Sequence, residues 1–146
     1  MQPKIVIVDI DGTLADVQHR LHFIKGPGKK NWKQFFHHQH LDGPVDIVVR
    51  WVNNLPPEYR PILITGRPEE YRLQTEAWLE AHNVHYAKLL MRRTGDHRPD
   101  TIAKRELLDR VGRENVAFVI DDKPAVCEMY KQCGLRVFQV STGESW

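Results

Sequence analysis

Asp9 and Asp11 stand two residues apart in Asp9-Ile10-Asp11-Gly12-Thr13, directly after the run Lys4 to Val8. A second acidic pair, Asp121-Asp122, follows the apolar run Val116 to Ile120. Where a strand opens into a loop the alternation of side-chain directions lapses, so both members of such a pair can face one pocket. Four carboxylates brought together would repel one another unless protonated or neutralised by a cation. Oxygen-only ligands favour Mg2+, with Asp9, Asp11, Asp121 and Asp122 as the candidate ligands, and disfavour zinc, which calls for nitrogen or sulfur. A carboxylate can also attack phosphorus, and a second acid within reach can move the protons. Thr65 and Lys104 offer a hydroxyl and an ammonium for the equatorial oxygens of a phosphoryl group. Gly12 and Gly66 allow close approach of the backbone. A calcium loop starting at Asp9 is excluded, because its sixth position is Leu14 instead of Gly and its twelfth is Arg20 instead of Glu.

The elements that would position these residues alternate. Lys4–Val8, 61–64, 87–91, 116–120 and 135–140 are short runs rich in Val, Ile, Leu or Phe, the pattern of strands buried on both faces. Between them, helical spacing predicts a helix over 69–82 with Leu73, Ala77 and Trp78 on its inner stripe. A second is predicted over 101–111 with Ile102, Leu107, Leu108 and Val111 inward, and Asp100 as its N-cap. A third runs over 124–133, with Gly134 as its stop. Strand–helix alternation implies a doubly wound α/β fold with a mainly parallel sheet, whose strand exits gather at one edge. Those exits are Asp9-Ile10-Asp11-Gly12-Thr13, Thr65-Gly66-Arg67, Arg92-Arg93 and Asp121-Asp122-Lys123. Residues 14–54 are less regular and read as a small insert after the first strand. In it Trp32, Phe35 and Phe36 are expected to pack inward, and His37, His38 and His40 to form a polar helix end.

The chain has 146 residues, 41% hydrophobic and 27% charged, the profile of one globular domain over 1–146. A net charge of +2 does not announce a protein that coats nucleic acid. Arg92, Arg93 and Arg98 nevertheless form a cationic loop on the edge where an anion would bind. The run Ile5 to Val8 is far too short to span a membrane, so no membrane partner is expected and the cytoplasm is the expected compartment. Cys127 and Cys133 have no zinc spacing and are expected to be buried free thiols.

Asp9-Ile10-Asp11-Gly12-Thr13, Thr65, Lys104 and Asp121-Asp122, in that order, resemble the four motifs of the haloacid dehalogenase superfamily of phosphohydrolases. The resemblance implies Asp9 as nucleophile, Asp11 as general acid/base, Thr65 and Lys104 as phosphate holders, and Asp121 with Asp122 as the metal end. A narrower resemblance is to the 3′-phosphatase domain of phage-type polynucleotide kinase/phosphatases. It is carried by Arg20, Thr65-Gly66-Arg67, the run from Met91 to Asp96 through Asp100 and Lys104, and the tail segments 119–123, 126–130 and 139–143. This implies that Arg20 and Arg67 face the substrate phosphate or nucleotide; Arg92 and Arg93 are candidate substrate contacts from their place in the cationic loop. The expected substrate is then a phosphorylated DNA or RNA end, and a separate kinase or ligase is the expected partner. No Gly-x-x-x-x-Gly-Lys-[Ser/Thr] run is present, because Gly26-Pro27-Gly28-Lys29 has neither the spacing nor the hydroxyl. A free nucleotide or another small metabolite as substrate, and a non-catalytic receiver-like module, are the alternatives; the order of the motifs disfavours the receiver.

Overall fold

The structure, a computed structural model, describes residues 2–142. Gly143, the last residue of the resembling tail, lies outside the described residues. The strands are β1 (Ile5–Val8), β2 (Ala15–Asp16), β3 (Gly43–Pro44), β4 (Arg60–Pro68), β5 (Lys88–Arg92), β6 (Val116–Asp121) and β7 (Val137–Gln139). The helices are α1 (Trp32–His37), α2 (Asp46–Asn53), α3 (Arg72–Ala81), α4 (Asp100–Val111) and α5 (Pro124–Gln132). Five strands make one parallel sheet in the order β5-β4-β1-β6-β7. β2 and β3 pair antiparallel outside it.

β1 is central because Val6 and Val8 point to one face and Ile7 to the other. Val6 and Val8 join the core formed with Val48, Val49 and Val52 of α2 and with Trp78 and Leu79 of α3. Ile7 joins Leu107 and Leu108 of α4 and Val126, Met129 and Tyr130 of α5. Val6, Ile7 and Val8, at 0–1% exposure, each contribute about 1.5–3 kcal/mol by leaving water. After β1 the chain winds out through β4 and β5, then returns to lay β6 on the other side of β1. In parallel sheets such a reversal of strand order is where functional sites gather, here beyond the C-terminal end of β1.

The helices are rotated from the expected stripes, and polar contacts set the rotation. In α3 the buried residues are Thr75, Trp78 and Leu79, while Leu73 is 82% exposed and Ala77 is exposed. Thr75 is drawn inward by hydrogen bonds with Arg67 and Gln39. In α4 the buried residues are Ala103, Lys104, Leu107 and Leu108, and Ile102 is 44% exposed, because the Lys104 ammonium is held beneath the sheet edge. Asp100 does not cap α4: it opens the helix, Pro99 precedes it without a side-chain cap, and its carboxylate binds Arg92 and Lys123. β4 also runs further than expected. It continues through Thr65, Gly66 and Arg67, and its register against β5 shifts between Thr65 and Pro68. Among the inserted elements, Val17, Leu21, Ile24 and Phe35 form a small core of their own.

Candidate functional site

The sheet register brings Asp9 to the second acidic pair. Val8 pairs with Ile120, so Asp9 and Asp121 are neighbours at adjacent strand ends, and the Asp9 amide donates to the Ile120 carbonyl at 3.0 Å. Asp9, Asp121 and Asp122 each present a carboxylate oxygen within 4.8 Å of the others. Lys104 reaches up from α4 and donates to Asp9 Oδ1 and Asp121 Oδ2, both at 2.8 Å. The Thr13 hydroxyl donates to Asp9 Oδ2 at 3.1 Å and approaches Asp122 Oδ1 at 3.4 Å. Asp121 Oδ1 accepts the Lys123 amide hydrogen, which fixes the turn into α5.

Gly12 is required at this point. Its φ is +82°, and a Cβ there would lie 2.1 Å from Asp122 Oδ2, so only glycine lets Asp122 close over the first motif. Gly66 has an equivalent role beside β5: a Cβ would stand 2.7 Å from Asp100 Oδ1.

Asp11 points into a second cluster. Arg67 donates through Nε and Nη2 to its carboxylate, and Arg20 Nη2 donates to Asp11 Oδ1 at 2.7 Å. Arg20 also binds Asp42 Oδ1 and Oδ2 at 2.8 and 2.7 Å and the Phe35 carbonyl at 3.1 Å. Its guanidinium lies 4.3 Å from the centre of the Phe35 ring. Asp42 is held in turn by His19 at 2.6 Å, and its carbonyl accepts the Trp78 indole hydrogen. Arg20 and Arg67 were expected to face the substrate. Both have no exposed surface, because every direction around each guanidinium is filled by these carboxylates and by Phe35, Gln39 and Thr75.

The two clusters differ in charge. Asp11 and Asp42 accept from two guanidiniums, whereas Asp9 and Asp121 share the Lys104 ammonium and Asp122 brings a third carboxylate within 4.8 Å. At Asp9, burial and then the Asp121 charge push the acid well above its usual range, with Lys104 opposing. At Lys104, burial works to lower the value, but Asp121 and Asp9 hold the ammonium well above its ordinary range. Burial would raise Asp11 too; there the Arg67 and Arg20 charges outweigh it and hold the carboxyl well below the usual carboxylate range. Asp11 is therefore a carboxylate committed to arginine, and it is not among the three acids that share a centre, where it too was expected.

Thr65 is fully buried, and its Oγ1 accepts the Arg67 amide hydrogen at 3.1 Å. A hydroxyl that accepts still has its own proton to give. Arg92 turns back on its own loop, donating to the carbonyls of Gly66, Asp96 and Arg98 and to the Asp100 carboxylate. Arg93 is exposed beside it, and Arg98 pairs with Asp96 and Glu106 at the surface. Six polar residues outside the expected set take part in the arrangement: Thr13, His19, Gln39, Asp42, Thr75 and Asp100. Asp100 had a signal, since it precedes Lys104 by one helical turn on the same face. Asp42 and Gln39 had none, because their partners lie across a long, irregular stretch of chain.

Within the insert, Phe35 packs inward as expected, Phe36 packs against the same core while partly buried, and Trp32 does not pack inward: it is 42% exposed. His37, His38 and His40 sit at the end of α1, with His38 and His40 bound to backbone carbonyls there. Cys127 and Cys133 are buried free thiols. Among the described residues no helix is long and apolar enough to cross a membrane.

Over residues 3–145 the chain matches the family described as the polynucleotide kinase PNKP phosphatase domain. It is 32% identical to a chain in a solved Pnkp1/Rnl/Hen1 complex, with a TM-score of 0.76, covering 98% of this chain and 47% of that one. A chain in the Pnkp1/Rnl/Hen1 RNA repair complex gives 32% identity and a TM-score of 0.74, covering 98% and 44%. The chain thus spans less than half the length of these relatives. A haloacid dehalogenase-family enzyme from Bacteroides thetaiotaomicron, solved with magnesium and inorganic phosphate, shares the fold at 12% identity and a TM-score of 0.60, covering 99% and 97%.

Proposed function

The chain belongs to the polynucleotide kinase PNKP phosphatase-domain family of haloacid dehalogenase phosphatases, and we propose that it removes the 3′-phosphate from a nucleic-acid end through an aspartyl-phosphate at Asp9, with Mg2+. The chain acts in this reading as one domain, with the insert over roughly 14–54. The observation that carries it is the convergence of the Asp9, Asp121 and Asp122 carboxylates, each with an oxygen within 4.8 Å of the others. Carboxylates this close repel one another, a divalent cation between them relieves that repulsion, and an all-oxygen donor set suits Mg2+. Asp9, Asp121 and Asp122 would hold the ion. When bound, it supplies a Lewis acid that draws charge from the phosphoryl oxygens.

The chain's own residues divide the work. An Asp9 carboxylate oxygen attacks phosphorus, the phosphorus bond to the leaving 3′ oxygen breaks, and that oxygen takes a proton from Asp11. Water then attacks phosphorus, Asp11 removes one of its protons, and the bond to Asp9 breaks to release orthophosphate. Asp11 as held by Arg67 and Arg20 is ready for the second of these transfers; the first requires it to leave the arginines protonated. Lys104 and Thr13 fix the Asp9 carboxylate against rotation. The Thr65 hydroxyl donates to a phosphoryl oxygen, with Gly66 leaving room beside it. Arg20, Arg67 and Arg92 act on the phosphate through Asp11 and the loop after β5, and Arg93 is the arginine able to meet the substrate directly.

Two relatives found in Pnkp1/Rnl/Hen1 complexes, one of them described as an RNA repair complex, favour a polynucleotide end as substrate and a kinase or ligase as partner. The test is release of phosphate from a 3′-phosphorylated oligonucleotide compared with a panel of mononucleotides, with and without Mg2+. A preference for the oligonucleotide, abolished in Asp9→Asn, is the expected result. A strong preference for mononucleotides overturns the substrate, and normal turnover by Asp9→Asn overturns the nucleophile.

A further inference from the structure

Between Asp16 and Asp42 the sequence contains no acidic residue, yet it holds Arg20, Lys25, Lys29, Lys30 and Lys33. The whole protein has a net charge of only +2, so this segment is a local concentration of positive charge on a nearly neutral molecule. Arg20 is engaged with Asp11 and Asp42, whereas the four lysines are exposed. Trp32 stands among them at 42% exposure, with the Lys30 ammonium 5.6 Å from its ring centre.

Trp32 is the first of a row. Its ring stacks on Phe36 with centroids 5.9 Å apart and planes at 25°, and Phe36 lies 5.3 Å from Tyr71 at 33°. Phe36 and Tyr71 are both only partly buried. Core packing accounts for part of the row: Phe36 leans on the insert's core of Val17, Leu21, Ile24 and Phe35, while Trp32 touches that core at the edge of Phe35 and keeps 42% of its surface exposed. The row also leads to the catalytic edge. Tyr71 follows Arg67 by four residues, and the Glu70 amide beside it donates to Thr94 Oγ1 in the loop after β5. Phe35, next to Phe36 in α1, touches the arginine that holds Asp11.

Exposed aromatic faces interleaved with lysines are the chemistry that binds a single-stranded nucleic acid, since every base offers a π-face and every linkage a negative charge. We propose that Trp32, Phe36 and Tyr71 form a stacking track for the bases that precede the 3′-phosphate, with Lys29, Lys30 and Lys33 along the phosphodiesters. The inference rests on the reading of the site as an end phosphatase, and it names the form of the end: single-stranded, and longer than one nucleotide. A mononucleotide, lacking a second base and a phosphodiester, gains nothing from the track.

The test measures binding of the full chain to a short single-stranded oligonucleotide ending in a 3′-hydroxyl, by fluorescence anisotropy across a salt series. Trp32→Ala is expected to weaken binding about tenfold. Lys30→Gln with Lys33→Gln should reduce the slope of log affinity against log salt by about 1.4. In the same variants the ratio of kcat/KM for the 3′-phosphorylated oligonucleotide to that for a nucleoside 3′-phosphate should fall about tenfold. Unchanged affinity and slope in both variants overturn the track. So does loss of binding to phosphatidylserine vesicles in these variants while oligonucleotide binding stays intact, which assigns the face to a membrane surface. Failure of the parent reading looks different: the wild-type protein would bind the 3′-hydroxyl strand as described and yet release no phosphate from 3′-phosphorylated ends.

Discussion

Arg67 grips Asp11 as a fork, with Nε 3.0 and 3.2 Å from the two carboxylate oxygens and Nη2 2.6 Å from Oδ1. Both side chains are buried, so neither charge can be released to water if the other is lost. Removing one partner of such a pair costs about 3–5 kcal/mol. Arg67→Ala should therefore lower the melting temperature by roughly 10 °C, at about 2–4 °C per kcal/mol for a chain of this size. Asp11→Asn should rescue part of that loss when combined with it. Additive losses in the double-mutant cycle would show that the two groups do not interact. Arg67→Lys should rescue poorly, because an ammonium cannot reproduce the fork.

The same pair predicts a pH dependence of stability. The Asp11 carboxyl is held below its unfolded value of about 3.9. A depressed carboxyl contributes its stability in full above that unfolded value and loses it as pH falls toward the folded one. Unfolding free energies measured in urea between pH 5 and pH 2 should thus fall more steeply for wild type than for Asp11→Asn, by at most about 1.4 kcal/mol per pH unit. Equal slopes would mean that Asp11 is free of its arginines in solution.

Asp9, Asp121 and Asp122 make a test of metal binding that does not depend on turnover. A cation that binds only the folded chain stabilises it by about 2.7 kcal/mol at a hundred times its Kd. Mg2+ should raise the melting temperature of wild type by about 5–10 °C under those conditions. Asp121→Asn and Asp122→Asn should each remove most of the shift, and Asp11→Asn, whose carboxylate stands apart with Arg20 and Arg67, should retain it. A shift lost equally in Asp11→Asn would place the ion in the wrong cluster. Chelation should abolish phosphate release and be reversed by Mg2+.

How much of this was legible beforehand follows from where each side chain gets its position. Asp9 and Asp121 are placed by strand ends, which apolar runs mark, so their convergence could be read from order and spacing; Lys104 lies off the stripe expected for α4 and entered only through the family resemblance. Asp42 and Gln39 are placed by contacts with Arg20, Arg67 and Thr75 across the insert, and no local pattern records such contacts. The rotation of α3 had the same origin: Thr75 turns inward for Arg67, which sends Leu73 to the surface against its hydrophobicity. Trp32 went the other way, since its helical spacing matched a core stripe that Phe35 fills and Phe36 flanks.

Gly12→Ala should damage the metal end without touching a carboxylate. The substitution strains a backbone at φ +82° and drives a methyl group into Asp122. Asp122 must then withdraw from Asp9 and Asp121. The expected signature is a Mg2+ requirement for turnover raised at least tenfold, with the protein still folded by circular dichroism. An unchanged Mg2+ dependence would show that Asp122 has no part in holding the ion.

Cys127 reports on the same place from below. Its Sγ lies 3.5 Å from the Asp121 carbonyl in the first turns of α5, and burial, followed by the charges of Asp121 and Asp122, pushes its thiol up to about 12. The thiolate is the reactive form, so at pH 8 this cysteine should be inert despite being next to the acids. Cys133 is buried as well, in the core under α4 and α5. Ellman's reagent should therefore find essentially no reactive thiol in the folded protein and both thiols in urea. Rapid labelling of Cys127 in the native state, with loss of phosphatase activity, would show that α5 opens beneath Asp121 far more often than its packing implies.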